Sequence, residues 1–213
     1  MCRGYEDLPH QLSRSPAGIA GGPERAVGDD LVYHCALNKF ACKWLRTTDR
    51  VLEVGCEEGF GTHFFSKHSA HATGLNIDSE LIEGCRGKYV RYNLEFVVGD
   101  IVRPEKLPRP EYDAVVRFEM LEHISLEQGA AMVARCALYL NSGWILIMST
   151  PCARPDRSVS HQQMHVYEYD YDTLVAMLSP HFSRMMVFCQ NDEYIYAGHP
   201  ATGWNYVALG FKP

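Results

Sequence analysis

The sequence predicts an α/β domain built on a doubly wound, mostly parallel seven-stranded sheet with an antiparallel hairpin at one edge. Three observations carry this. Short apolar runs alternate with helical segments at the spacing of βαβ units. Most of those runs are continuously apolar rather than alternating, as in strands covered on both faces. The first run ends in a glycine-rich turn that opens a helix.

Residues 1–28 carry Pro9, Pro16, Gly18, Gly21, Gly22 and Pro23 and read as a flexible arm, leaving 29–213 as a single domain. Asp29 or Asp30 caps a helix running to about Arg46. Arg50–Val54 is the first strand, Phe60–His68 the next helix and Thr73–Ile77 the second strand. Ser79 caps a helix over Glu80–Lys88. Glu95–Val98, Asp113–Phe118 and Trp144–Ser149 are the following strands. Between the last two, Ser125 caps a helix over Leu126–Leu140, stopped by Asn141-Ser-Gly143. After a polar stretch over 151–163, Asp170 caps a helix over Tyr171–Leu178, and Arg184–Gln190 pairs antiparallel with Tyr206–Phe211.

Composition narrows the function. A chain of 213 residues with 46% apolar content suits one domain with a full core. The net charge of −6 and the absence of any basic run speak against a nucleic-acid partner. Eight cysteines without a C-x-x-C pair read as thiols in a reducing compartment rather than zinc ligands. The N-terminus lacks an apolar targeting core and no run is long enough to span a bilayer, so a cytoplasmic protein without membrane contact is expected.

The chemistry concentrates at the ends of the strands. Val51-Leu-Glu-Val-Gly-Cys-Glu-Glu-Gly-Phe-Gly61 runs from strand through Gly55 and Gly59 into a helix, where backbone and ligand can approach closely. Asn76, Ile77 and Asp78 end the second strand, at the distance where such folds hold ribose hydroxyls. Gly99-Asp100-Ile101 ends the third and suits the exocyclic amine of a base. Phe118 and Glu119 end the fourth and close the same crevice. One nucleoside laid across the switch point would meet all of them. The glycines at 55, 59 and 61 do not follow G-x-G-x-x-G, which disfavours a nicotinamide dehydrogenase.

Val51-Leu-Glu-Val-Gly-Cys-Glu-Glu-Gly59, Gly74-Leu-Asn-Ile-Asp78, Val98-Gly-Asp100 and Tyr112-Asp-Ala-Val-Val-Arg-Phe-Glu-Met-Leu-Glu-His-Ile124 together resemble the class I S-adenosylmethionine-dependent methyltransferases, particularly the branch with small-molecule and saccharide acceptors. The resemblance covers roughly residues 24–150. It implies a Rossmann-like fold, S-adenosylmethionine as cofactor and S-adenosylhomocysteine as product. It also implies that Glu53 supports the loop, Gly55 to Gly59 with Cys56 pack on the methionine moiety, Asn76 meets the ribose, Asp100 meets the adenine amine and Phe118 borders the sulfonium. Two positions depart from the family: Glu57 replaces its second glycine, and Asn76 its ribose-binding acid. These departures keep a weak or inactive scaffold as an alternative, with a nucleic-acid methyltransferase as another.

A hydroxyl acceptor must lose a proton, which calls for a His or carboxylate base. His123 follows the fourth strand and His165 the fifth, and both are candidates for that role. Tyr33, His34, His161 and Tyr167 are candidates for contacting the acceptor. His161 and His165 have i, i+4 spacing but no evident third ligand, so no metal site is expected. The expected reaction is methyl transfer to a hydroxyl, less readily an amine, of a small molecule or sugar.

Overall fold

The computed structural model describes residues 29–102, 111–153, 165–198 and 202–213. The elements run α1 (Asp29–Cys42), β1 (Arg50–Val54), α2 (Phe60–Phe65), β2 (His71–Asn76), α3 (Ser79–Lys88), β3 (Leu94–Val98), β4 (Tyr112–Arg117), a 3-10 turn (Leu121–His123), α4 (Leu126–Tyr139), β5 (Leu140–Pro151), α5 (Tyr171–Leu178), β6 (Arg184–Asn191), β7 (Tyr194–Tyr196) and β8 (Asn205–Phe211). The flexible arm expected over 1–28 lies outside the described residues.

The sheet order is β3-β2-β1-β4-β5-β8-β6-β7. The first five strands are parallel, while β8 pairs antiparallel with both β5 and β6. The sheet has eight strands rather than seven. The extra one, β7, is a three-residue return of β6 through Asp192, whose φ is +47. It is too short to show a period in sequence.

Strand alternation divides the core. Leu52, Val54, Val115, Leu146 and Met148 face Met132, Val133 and Cys136 of α4 and Leu174 and Leu178 of α5. Val51, Ala72, Ala114, Val116, Ile145 and Ile147 pack with Ala41 of α1 and Phe65 of α2. Burying one large aliphatic side chain contributes about 1.5–3 kcal/mol, and these strands bury both faces.

Several boundaries differ from expectation for local reasons. α1 ends at Cys42 and α2 at Phe65, each shorter than its pattern suggests. Asp78, not Ser79, caps α3, because its carboxylate accepts from the Glu80 and Leu81 N–H groups. Ser125 caps α4 in a reciprocal capping box with Gln128, as its spacing predicts. The Asn141-Ser-Gly143 stop does not lead into a loop. It lies within β5 as a register shift, with Gly143 at φ +81.

The chain winds outward from β1 to β3 and then returns to lay β4 on the other side of β1. The carboxyl ends of β1 and β4 therefore flank the switch point, where ligands bind in open α/β sheets.

Candidate functional site

The tips of β1, β2 and β3 are stapled together by their backbones. Gly55 and Cys56 donate to the Leu75 carbonyl at 2.8 and 3.0 Å, and Gly99 donates to the Asn76 carbonyl at 2.9 Å. The loop leaving β1 turns through three left-handed residues, Gly55 (φ +76), Glu57 (φ +48) and Gly59 (φ +78). A Cβ at Gly59 would lie 2.8 Å from the Phe96 ring, and one at Gly55 would lie 2.5 Å from Met120 Sδ. Met120, just past β4, thus lies over the glycine loop across the switch point.

Glu53 is buried beneath this loop and accepts from the Thr62 hydroxyl. Burial pushes its carboxyl up to about 8, opposed by the Thr62 hydrogen bonds. A Cβ at Gly61 would collide with its Oε1, so Glu53 supports the turn from below. The side chains of Cys56 and Ile101 are packed in the interior at 4% exposure each, so these two residues offer a ligand only their backbones.

The polar groups at the tips are mostly acceptors. Asn76 Oδ1 accepts from Asp78 N–H at 2.9 Å, and Asp100 Oδ1 accepts from Val102 N–H at 2.8 Å. Between Asn76 and Asp78, Ile77 leaves an apolar side chain 58% exposed. Carboxylates and amide oxygens beside an exposed apolar surface fit a nucleoside that donates hydroxyl and amine hydrogens and carries a cationic substituent.

A second cluster forms beyond β4. His123 of the 3-10 turn meets His165 edge to face, with ring centroids 5.6 Å apart. His165 Nδ1 lies 2.7 Å from Glu168 Oε1. The segment carrying His165 and Glu168 is tied to the turn by the Val166 and Tyr167 N–H groups, which donate to the Glu122 carbonyl at 2.6 and 3.2 Å. Tyr167 packs edge to face on Tyr169 at 4.9 Å. The structure therefore brings together two histidines nominated from separate segments. His161 lies outside the described residues.

Tyr33 and His34 on α1 contact each other edge to face at 5.1 Å. Asn205 Nδ2 donates to the Tyr33 hydroxyl and, at 2.8 Å, to Glu119 Oε2, while Ser149 donates to Glu119 Oε1 at 2.5 Å. Glu119 itself has φ +44. Sequence reasoning placed Glu119 at the crevice but missed Ser149 and Asn205. They lie in apolar strands far along the chain and carry no motif.

It also missed Arg117, which reads as one more residue of an apolar strand. Its guanidinium is 1% exposed and makes no hydrogen bond among the described residues. Burial lowers its pKa, and the neighbouring Cys136, Glu122 and Tyr169 act in the opposite sense. Glu122 is equally buried. Burial and then Glu119 push it well above the usual carboxylate range, opposed in part by Arg117.

Residues 51–143 match the sequence profile of a methyltransferase domain. Together with the sheet order, this segment shows the Rossmann-like fold of the class I methyltransferases. The chain is similar to a probable S-adenosylmethionine-dependent methyltransferase of Mycobacterium tuberculosis, 27% identical over 183 residues, covering 81% of this chain and 64% of the relative. This chain thus spans less than two thirds of that relative's length. A ubiquinone biosynthesis O-methyltransferase of Xylella fastidiosa is 34% identical over 107 residues, covering 47% of this chain and 41% of the relative. Among solved structures, the N-methyltransferase NodS of Bradyrhizobium japonicum, in complex with S-adenosylhomocysteine, shares the fold with a TM-score of 0.69 at 17% identity. That match covers 95% of this chain and 97% of NodS. The seven described cysteines are free thiols. Among the described residues no helix is long and apolar enough to cross a membrane.

Proposed function

We propose that this protein transfers the methyl group of S-adenosylmethionine to a hydroxyl, less readily an amine, of a small molecule or sugar. The observation that carries the hydroxyl assignment is the His165–Glu168 contact at 2.7 Å beside His123. A carboxylate on Nδ1 holds the imidazole in the tautomer that leaves the Nε2 lone pair to take a proton.

The residues at the strand tips divide the binding task. Asp100 accepts from the adenine amine, Ile77 offers its exposed side chain to the base, Asn76 and Asp78 are the candidates at the ribose, and the Gly55–Gly59 backbone lies against the methionine portion. When bound, the cofactor supplies a methyl group already activated on a sulfonium sulfur. The chain then aligns the acceptor, excludes water with Phe118 and Met120, and removes the acceptor's proton at His165 Nε2. Tyr33 and Tyr167 are the candidates for contacting the acceptor. Similarity to an O-methyltransferase of ubiquinone biosynthesis favours oxygen over nitrogen.

Calorimetric titration with S-adenosylhomocysteine tests the cofactor assignment. Its release on mixing S-adenosylmethionine with a panel of phenols, sugars, carboxylic acids and amines tests the acceptor. Micromolar binding and turnover of the hydroxyl compounds are expected. Absence of binding at millimolar ligand overturns the reading in favour of a methyltransferase-fold scaffold, and turnover of amines alone overturns the oxygen assignment.

A further inference from the structure

The two polar residues at the tip of β2 each hold the turn they form through one oxygen. Asn76 Oδ1 holds the Asp78 N–H at 2.9 Å. Asp78 Oδ1 holds the Glu80 and Leu81 N–H groups at 2.8 and 3.3 Å, capping α3. Asn76 stands where the resemblance implies a ribose-binding acid.

Glu57 has the opposite character. It sits between Gly55 and Gly59 with φ +48, a conformation that glycine adopts freely and a glutamate adopts at a cost of about 1–2 kcal/mol. Its backbone is nonetheless fixed, because its carbonyl accepts from Cys85 Sγ at 3.3 Å. Its side chain is half-buried and makes no hydrogen bond or ion pair with any described residue. The loop that carries it is stapled to the end of β2 by the Gly55 and Cys56 N–H groups, which donate to the Leu75 carbonyl. Burial, then Glu58 and Asp78, push its carboxyl up to about 7. A half-buried carboxylate on this loop, with no partner among the described residues, has both oxygens available to accept from hydroxyl donors.

We propose that Glu57 provides the carboxylate that binds the ribose hydroxyls of the cofactor, in place of the acid that Asn76 has replaced. The inference rests on the cofactor reading above. Two hydroxyls donating to the two oxygens of one carboxylate would satisfy Glu57 and favour its charged form. The φ cost is then borne by ligand binding, as with other strained clamp residues.

The test compares S-adenosylhomocysteine with its 2′-deoxy and 3′-deoxy analogues by calorimetry, using wild type, Glu57→Gln and Glu57→Gly. Wild type is expected to prefer the full ribose by about 10-fold or more, as for loss of a charged hydrogen bond. Glu57→Gln should weaken S-adenosylhomocysteine by a similar factor and lose most of the preference. Glu57→Gly should lose it too while melting at a higher temperature, since glycine relieves the backbone; its fold is therefore not in question. The proposal is overturned if Glu57→Gly binds as tightly as wild type with the preference intact, which would make Glu57 an obstruction. A wild type that binds all three compounds equally also overturns it, yet leaves the cofactor reading standing. A wild type that binds none of them overturns both.

Discussion

His123 and His165 reach each other from opposite sides of the undescribed stretch 154–164, and their rings meet edge to face at 5.6 Å. His165 has the Glu168 carboxylate on its Nδ1. His123 instead lies 3.6 Å from the buried Glu122 through its Nε2. On the proposed reading the two histidines take different roles, His165 as base and His123 as its wall.

His165→Asn should lower kcat by about 100-fold on the best hydroxyl acceptor, the lower end of the range for a lost general base. S-adenosylhomocysteine binding should stay within twofold. Glu168→Gln should lower kcat less and shift the pH profile of kcat/KM, because the ring keeps its place but loses its oriented tautomer. A kcat unchanged in His165→Asn would refute the assignment.

Asp100→Ala should raise the dissociation constant of S-adenosylhomocysteine by about 10-fold or more, since a hydrogen bond to a charged group contributes roughly 1.5–3 kcal/mol. An inosyl analogue, which lacks the amine, should bind wild type and variant alike. If the variant discriminates between the two ligands as wild type does, Asp100 does not read the adenine.

The glycines of the loop should not tolerate alanine equally. At Gly59 the added methyl meets the Phe96 ring at 2.8 Å and Cys85 Sγ at 2.9 Å, in a left-handed backbone. A loss of about 2–4 kcal/mol is expected in urea unfolding. At Gly55 the obstacle is the flexible thioether of Met120, which can move aside, so the cost should stay near the backbone penalty of about 1–2 kcal/mol. Equal costs would show that packing does not distinguish the two sites.

Glu53 makes stability depend on pH in an unusual direction. Its folded pKa of about 8 lies above the unfolded value of 4.5, so the folded state holds the proton more tightly. The contribution is full below about 4.5 and is lost as pH rises through about 8. Glu53→Gln keeps a neutral acceptor for Thr62 and should melt at least about 5 °C higher than wild type at pH 8.5, with the gap closing by pH 5. Thermal denaturation across that range checks it; a gap independent of pH would exclude Glu53 as the titrating group.

Arg117 and Glu122 should respond asymmetrically to removal of either one. Left alone, Glu122 can take up a proton, whereas Arg117 cannot shed one. Glu122→Leu should therefore cost about 3–5 kcal/mol and Arg117→Met clearly less, with the double variant recovering much of the loss. A double-mutant cycle by chemical denaturation measures it, and additive losses would mean that the two charges do not interact.

Sequence made the sheet and its binding edge legible because both depend on local signals. Val51–Val54 is a buried run ended by Gly55, and the Ser125–Gln128 capping box announces α4. What sequence could not show is where distant polar residues meet. Arg117 follows Val115 and Val116 and looks exposed by type, yet the sheet buries it. Asn205 reaches Glu119 only because β8 inserts between β5 and β6. Asp78, expected to face a ribose, also caps α3, a role its spacing to Glu80 and Leu81 permits. The strand ends themselves were readable, while the tertiary hydrogen bonds that bring distant residues to them were not.

Cys152 pairs with Tyr169 in an isolated parallel bridge, and the Ala153 N–H donates to the Tyr169 carbonyl at 2.8 Å, so 152–153 and 169 form one backbone clasp. With the Val166 and Tyr167 N–H groups donating to the Glu122 carbonyl, the segment that carries His165 and Glu168 is held by backbone bonds. On the proposed reading, the base therefore keeps one position for acceptors of different shape.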